Sequence, residues 1–304
     1  MAGPVTRVLG AGLLTGAAVA YAVAETRWFV LRRATVPVLP QGHRPVRLLH
    51  LSDLHLTPGQ RRKTSWVRAL ADLEPDLVVN TGDNLAHVRA VPAVVEALGP
   101  LLELPGVFVF GSNDYFAPVF KNPAWYLFPD NGRRNVHTPR LPIGDLRREF
   151  LARGWVDLTN RRNRLVVRGT SFGFAGVDDP HLGYDDLSAV AGPAESADVT
   201  VGVTHAPYLR VLDQYAADGY RLILAGHTHG GQLCLPFKGA LVTNCDLDTA
   251  RASGLHRHPA DSVPGQPAGS WLHVSAGLGT SPYAPVRFCC RPEATLLELT
   301  PRAD

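Results

Sequence analysis

Five short polar clusters, each directly after an apolar run, carry the side chains of this 304-residue chain best suited to holding metal ions. They are Asp53 and His55; Asp83 with Asn84; Asn113 with Asp114; His205; and His227 with His229. Each apolar run reads as a buried strand, so the clusters fall at strand ends, where open α/β sheets place their ligands. A mixed shell of carboxylate, imidazole and carboxamide without thiolate suits Mn²⁺, Fe²⁺ or Zn²⁺. The arrangement predicts a two-metal hydrolytic site.

The local spellings differ in weight. Asp53 and His55 flank Leu54, an alternation that turns both polar side chains the same way from an extended chain and Leu54 into the core. Gly82 allows a tight turn that brings Asp83 close, and one carboxylate has enough oxygens to bridge two cations. Gly226-His227-Thr228-His229-Gly230-Gly231-Gln232 is the strongest motif: two imidazoles one residue apart, bracketed by glycine, suit a tight loop holding neighbouring ions. His205 follows an apolar run and precedes Pro207, where a helix should begin at Tyr208. Any one of these also spells an ordinary turn or cap. Their recurrence after five separate strands does not.

The elements that must position them alternate. Strands are expected at Val46–Leu51, Leu77–Thr81 and Val107–Phe110, with helices at Ser65–Leu73 and Val91–Leu102 between them, a βαβαβ opening. Asp53, Asp83 and Asn113 recur at the spacing of one such unit, so each turn of the repeat delivers a polar group to the same sheet edge. After a helix at Leu146–Arg153, short strands are expected at Trp155–Leu158, Leu165–Val167, Phe172–Val177, Val199–Val203, Leu222–Ala225, Leu272–Ser275, Val286–Cys289 and Thr295–Leu299, enough for a second sheet packed on the first. Tyr115–Asn135, rich in Pro and aromatics, reads as an ordered insertion beside the site, and Gly239–Gly269 as a mobile loop over it.

The amino-terminal stretch Val8–Ala24 is apolar and uncharged and is followed by Glu25, Arg27, Trp28, Arg32 and Arg33. It reads as an uncleaved membrane anchor within residues 1–33, with a cleaved signal using Ala22 and Ala24, or an interfacial helix, as the alternatives. Basic residues after the run place the body, residues 46–304, on the cytoplasmic face of the cell membrane, beyond a stiff proline-rich linker at 34–45. The net charge of +3 comes from 30 basic residues, all arginine except Lys63, Lys121 and Lys238, scattered rather than striped, which makes a nucleic-acid partner unlikely. No protein partner is implied. Cys234, Cys245, Cys289 and Cys290 show no zinc spacing; Cys234 and Cys245 could bridge, and buried free thiols are the expected state.

Taken together, the motifs from Val46 onward resemble the calcineurin-like metallophosphoesterase superfamily, and most its membrane-associated bacterial YkuE/YaeI-like branch. That resemblance implies an α/β fold in a four-layer α-β-β-α sandwich of two mixed sheets, here preceded by an N-terminal apolar helix. It implies that Asp53, His55, Asp83 and His229 hold a first divalent ion and Asp83, Asn113, His205 and His227 a second, with Asp83 bridging. The family usually reads Gly-Asn-His-Asp where this chain has Gly111-Ser112-Asn113-Asp114. Either Asn113 keeps a metal role and the catalytic histidine is absent, which is the favoured reading, or Ser112 takes the asparagine position. Asp114 or a metal-bound water then has to protonate the leaving group. A phosphoester substrate follows, and the branch implies a lipid-linked phosphodiester or pyrophosphate resembling UDP-2,3-diacylglucosamine. Asn84 and Arg287 are the candidates to contact it, with a catalytically weak metal scaffold or a nucleotide or nucleic-acid phosphodiesterase as alternatives.

Overall fold

The computed structural model describes residues 16–120, 136–263 and 269–302. Two six-stranded mixed sheets stack face to face. The first runs β1 (Val30–Leu39), β14 (Glu293–Pro301), β2 (Val46–Leu51), β3 (Leu77–Asn80), β4 (Gly106–Phe108), β5 (Val156–Asp157), with β14 antiparallel to β2 and the other pairings parallel. The second runs β12 (Gly254–His258), β13 (Ser270–Val274), β9 (Leu222–Ala225), β8 (Val199–Val203), β7 (Thr170–Gly176), β6 (Arg161–Val167), antiparallel at its two edges.

Side-chain alternation along the strands divides the core into three slabs. Val46, Leu48, Leu77, Val79, Val107 and Val109 from one sheet meet Phe172, Phe174, Val199, Val201, Leu222 and Leu224 from the other between the sheets. Their neighbours Leu49, Leu51, Val78, Phe108 and Phe110 face outward onto three helices: α2 (Arg61–Arg68), α3 (Val91–Leu98) and, beyond the four-residue turn α4 (Ser112–Tyr115), α5 (Ile143–Leu151). Ala175 and Ile223 face the other way, onto Val211, Leu212 and Tyr215 of α6 (Leu209–Ala217). The expected helix, sheet, sheet, helix layering is present.

Several expectations need correction. The stretch read as a linker contributes β1, an edge strand parallel to β14 whose Val36, Val38 and Leu39 are buried; its Pro37 is tolerated because an edge strand has one unpaired side. The stretch read as a loop over the site supplies the short strand β11 (Gly239–Ala240), paired with β10 (Cys234–Leu235), and the edge strand β12. Val286–Cys289 forms no strand, only the single bridge of Phe288 to Leu233. Most of the aromatic insertion, 121–135, lies outside the described residues.

The membrane anchor is also corrected. Among the described residues no helix is long and apolar enough to cross a membrane. The helical stretch 16–25, here α1, lies against the domain, while the earlier part of the stretch read as an anchor, 1–15, lies outside the described residues. Tyr21 meets Phe288 edge-on at 5.2 Å, Ala22 and Glu25 are buried, and the Ala22 carbonyl accepts from the Arg287 backbone N–H at 2.9 Å. Placement at the cytoplasmic face of the cell membrane rested on the spanning anchor and falls with it.

The inter-sheet slab makes a stability prediction. Phe172 is wholly buried and stacks on Phe174 at 6.0 Å. Phe172→Ala is expected to lower the unfolding free energy by about 3–5 kcal/mol, read as a shift of denaturation midpoint at unchanged slope.

Candidate metal centre

All five clusters meet at one end of the two stacked sheets, after β2, β3, β4, β8 and β9. His55 Nε2 lies 3.8 Å from Asp53 Oδ1 and 3.4 Å from Asp83 Oδ2. His205 Nε2 lies 3.5 Å from Asp83 Oδ1, and His229 Nε2 3.6 Å from Asp53 Oδ1. His227 packs edge-on to His205 at 5.2 Å. The backbone N–H of Asn113 and its Nδ2 both reach Asp83, each at 2.7 Å.

These groups fit divalent cations on three independent grounds. Asp53 Oδ1, both ring nitrogens of His55 and His205 Nε2 are buried without a hydrogen-bond partner. A desolvated polar atom left in that state is costly unless a ligand satisfies it. The spacings of 3.4–3.8 Å are long for hydrogen bonds, whereas two donors at about 2.1 Å from one tetrahedral ion lie about 3.4 Å apart. His205 Nδ1 donates to the Thr81 carbonyl at 2.7 Å and His227 Nε2 to the Asn244 carbonyl at 3.2 Å. Each bond fixes the tautomer that leaves the other nitrogen free to ligate.

The backbone is bent to make this convergence. Asp53, His55, Asp83, His227 and His229 all have positive φ, between 41° and 69°. A left-handed conformation costs a residue with a side chain about 1–2 kcal/mol, and such costs persist where the surroundings over-determine them, typically at functional sites. The alternation argument for Asp53 and His55 therefore reached the right neighbours by the wrong geometry, since neither residue is extended. Close approach also requires bare backbone. A Cβ on Gly226 would lie 1.8 Å from Ser52 Oγ, and one on Gly111 2.4 Å from Asp83 Oδ1.

Charge balance explains the unequal behaviour of the imidazoles. Burial pushes the Asp53 carboxyl up, but His229, His55 and His205 outweigh it and hold it well below the usual range. Burial drives His227 down to about 4 and His229 down to about 3, leaving both neutral and ready to ligate. For His205 burial works downward, yet Asp83, Asp53 and Asp179 raise it to about 9.

Several nominated residues sit elsewhere. Asp114 is wholly buried, and its carboxylate accepts the backbone N–H groups of Asp83, Asn84, Leu85 and Gly111 at 2.8–3.2 Å. It clamps one ligand loop to the next, with no exposed oxygen for a leaving group, so the expected role as proton donor is corrected. Asn84 interlocks with Asn80 through paired amide bonds at 2.8 and 3.2 Å beneath the loop. Arg287, expected to meet a phosphate, is wholly buried and donates to the carbonyls of Ala276, Gly277 and Gly279 at 2.7–3.1 Å.

Sequence reasoning missed Asp179 and His181. The first accepts from Ser112 Oγ at 2.6 Å; the ring of the second lies 4.4 Å from that of His227. Asp178-Asp179-Pro180-His181 stands directly after the apolar run ending at Val177, so the rule that found the other clusters also selects this one. It missed as well the buried chain in which Thr81 Oγ1 donates to Ser52 Oγ at 2.7 Å and Ser52 Oγ to Asp53 Oδ2 at 2.5 Å. No sequence pattern announces that chain.

His205 makes this geometry testable. With its pKa raised to about 9 the metal-free ring is charged at neutral pH, and a cation must displace that proton. Affinity should therefore increase as pH rises toward about 9, and loading at neutral pH should release protons. A Zn²⁺ titration in weakly buffered solution with a pH indicator reads both. Loading without proton release would remove His205 from the ligand set.

Comparison with known proteins agrees with the geometry. The YkoQ metallophosphoesterase of Bacillus subtilis, itself uncharacterised, is 26% identical over 263 residues, covering 85% of each chain. YkuE of the same organism, also uncharacterised, is 24% identical over 278 residues, covering 86% of this chain and 82% of its own. The phosphodiesterase YaeI of Escherichia coli is 25% identical over 281 residues, covering 90% of both. The family model for calcineurin-like phosphoesterases matches residues 46–231, a stretch that contains every nominated metal ligand, and the chain belongs to that family.

Proposed function

We propose that this metallophosphoesterase hydrolyses a phosphodiester or pyrophosphate whose leaving group departs without help from a protein acid, at a centre where Asp83 would help to hold each of two divalent ions. The observation that carries the reading is the placement of Asp83, with Oδ2 facing His55 and Oδ1 facing His205. Grouping by proximity alone puts Asp53 in both candidate sets, with His55 and His229 and with Asp83 and His205. Asp83 is nonetheless the better bridge. Asp53 Oδ2 already accepts two hydrogen bonds, from Ser52 Oγ and the His227 N–H, whereas each oxygen of Asp83 accepts only one, from Asn113, and keeps a lone pair on the side of an imidazole.

Asp53, His55 and His229 would hold one ion, and His205 and His227, with Asn113 beside them, the other. Bound divalent cations supply Lewis acidity toward a phosphoryl group and a nucleophile at neutral pH. Around them the protein orients and buries. Ser52 and the His227 N–H fix the rotamer of Asp53, Asn113 holds Asp83 through two bonds, and Asp114 pins the loop that carries Asp83. Asn113 carries no acidic proton and Asp114 is sealed away, which supports a substrate with a weakly basic leaving group. A lipid-linked pyrophosphate of the UDP-2,3-diacylglucosamine type belongs to that class, as do aryl and nucleotide diesters.

The test is a substrate panel on Mn²⁺-loaded protein: an aryl phosphodiester, a UDP-linked glycolipid and DNA. Turnover of the aryl diester is expected, with Asp83→Asn slower by about 100-fold or more and short of metal. Silence on every substrate with two ions bound would overturn the hydrolase reading and leave a metal-holding scaffold. Asn113→His should raise turnover of an alkyl ester with a poor leaving group, within the roughly 10²–10⁴-fold that a positioned acid supplies. An equal rate would show that the leaving group was already protonated by another group.

A further inference from the structure

Behind His229, on the side away from the centre, two thiols converge on one carbonyl. Cys234 Sγ lies 3.1 Å from the Gly230 oxygen, and Cys290 Sγ 3.5 Å from the same oxygen and 3.1 Å from that of His229. Both sulfurs therefore lie within 3.5 Å of one oxygen atom. The backbone creates the encounter. Leu233 pairs with Phe288, and Cys289 then takes φ of 51°, turning the chain so that Cys290 swings back toward Cys234. Cys245 instead packs in the slab against α6, so the bridge considered between Cys234 and Cys245 is replaced in space by Cys234 and Cys290; none of the four cysteines is in a disulfide.

We propose that Cys234 and Cys290 form a modification site, a thiol pair that a hydroperoxide converts reversibly to a disulfide and that thereby governs the metal ligand His229. Both line a cavity of about 660 Å³, bordered also by Glu25, Arg32 and Glu293, which admits a small oxidant. The Cys290 thiol donates to the His229 carbonyl at 3.1 Å, and an Arg287 guanidinium nitrogen 3.7 Å from the sulfur meets the charge as the proton leaves. The Cys290 thiolate attacks a peroxide oxygen; the O–O bond breaks, hydroxide leaves and takes up a proton, and Cys290 becomes a sulfenic acid. The Cys234 sulfur then attacks the sulfenic sulfur, the S–O bond breaks, and a second water departs with the Cys234 proton. The two sulfurs lose two electrons and the peroxide gains them.

The coupling to the centre is steric and runs through hydrogen bonds. Packing around Gly230 has no slack, since a Cβ there would lie 2.7 Å from Cys290 Sγ. Drawing Cys290 to bonding distance of Cys234 must move the Gly230 segment, whose preceding residue is His229. The same Arg287 donates to the His229 carbonyl at 3.4 Å and to the Cys290 carbonyl at 3.3 Å, so a shift of Cys290 is passed to the backbone of the ligand. Groups that orient a metal ligand are worth about 10–100-fold in metal affinity or activity.

The inference rests on His229 as a metal ligand, and its test does not need turnover. Zn²⁺-loaded protein is treated with hydrogen peroxide, free thiols are alkylated and the digest is mapped by mass spectrometry, while a chelator dye measures Zn²⁺ affinity. A Cys234–Cys290 cross-link is expected, lighter by two hydrogens and erased by dithiothreitol, together with about tenfold weaker metal binding that recovers on reduction. Cys234→Ala and Cys290→Ala should hold metal equally well with and without peroxide, and Cys289→Ser and Cys245→Ser should respond like the parent. Both thiols remaining alkylatable, or a cross-link that leaves affinity unchanged, overturns the proposal. Where the reduced protein turns over the aryl diester, its rate should fall and recover with affinity. A protein silent from the outset would refute the hydrolytic reading while the cross-link and affinity still decide this one.

Discussion

Two carboxylates, Asp53 and Asp83, are held out of water within reach of the same imidazole, and the rest of the molecule is arranged around that fact. Buried like charges repel strongly and lose their hydration, so they persist only where opposite charge and hydrogen-bond donors are supplied. Here the donors are main-chain N–H groups and hydroxyls: Asn113 toward Asp83, Ser52 and His227 toward Asp53. Divalent cations would supply further positive charge among the buried, unpartnered atoms of Asp53, His55 and His205. The layers beneath act as a rigid frame that keeps these loops from relaxing apart.

That frame was largely legible. Near-continuous apolar runs located β2, β3, β8 and β9 within a residue, because strands buried on both faces carry few polar residues. The ligand positions were legible for a related reason: a polar side chain immediately after such a run must lie at the sheet edge. Legibility failed where burial was carried by few residues or by tertiary contact. β1 contains Arg32, Arg33 and Pro37, its second half reads as a linker, and only its pairing with β14 makes it a strand. β12 is polar and histidine-rich because it lies at a sheet edge. Arg287 looked like a surface cation since nothing in its neighbours reveals the ring of carbonyls that receives it.

The nature of the site also limited the reading. Chemistry-bearing residues could be recognised by type, but their division into ligands and supports could not. Asp114 and Asn84 belong to the same polar clusters as the ligands and are chemically equal to them, yet they face inward and brace the loops. The distinction is set in part by backbone turns with positive φ at five of the seven nominated ligands, Asp53, His55, Asp83, His227 and His229, which leave only an uneven trace in composition, as in the glycines flanking His227 and His229.

The position of β14 has a consequence for the order in which the protein is made. It lies between β1 and β2, although nearly the whole chain separates it from them. While the polypeptide is emerging from the ribosome, β1 has no partner and β2 presents an unsatisfied edge, and both remain so until the last strand is available. Such late, long-range closure is slow and leaves sticky edges exposed in the interval. The first sheet is therefore completed only once synthesis has passed Pro301.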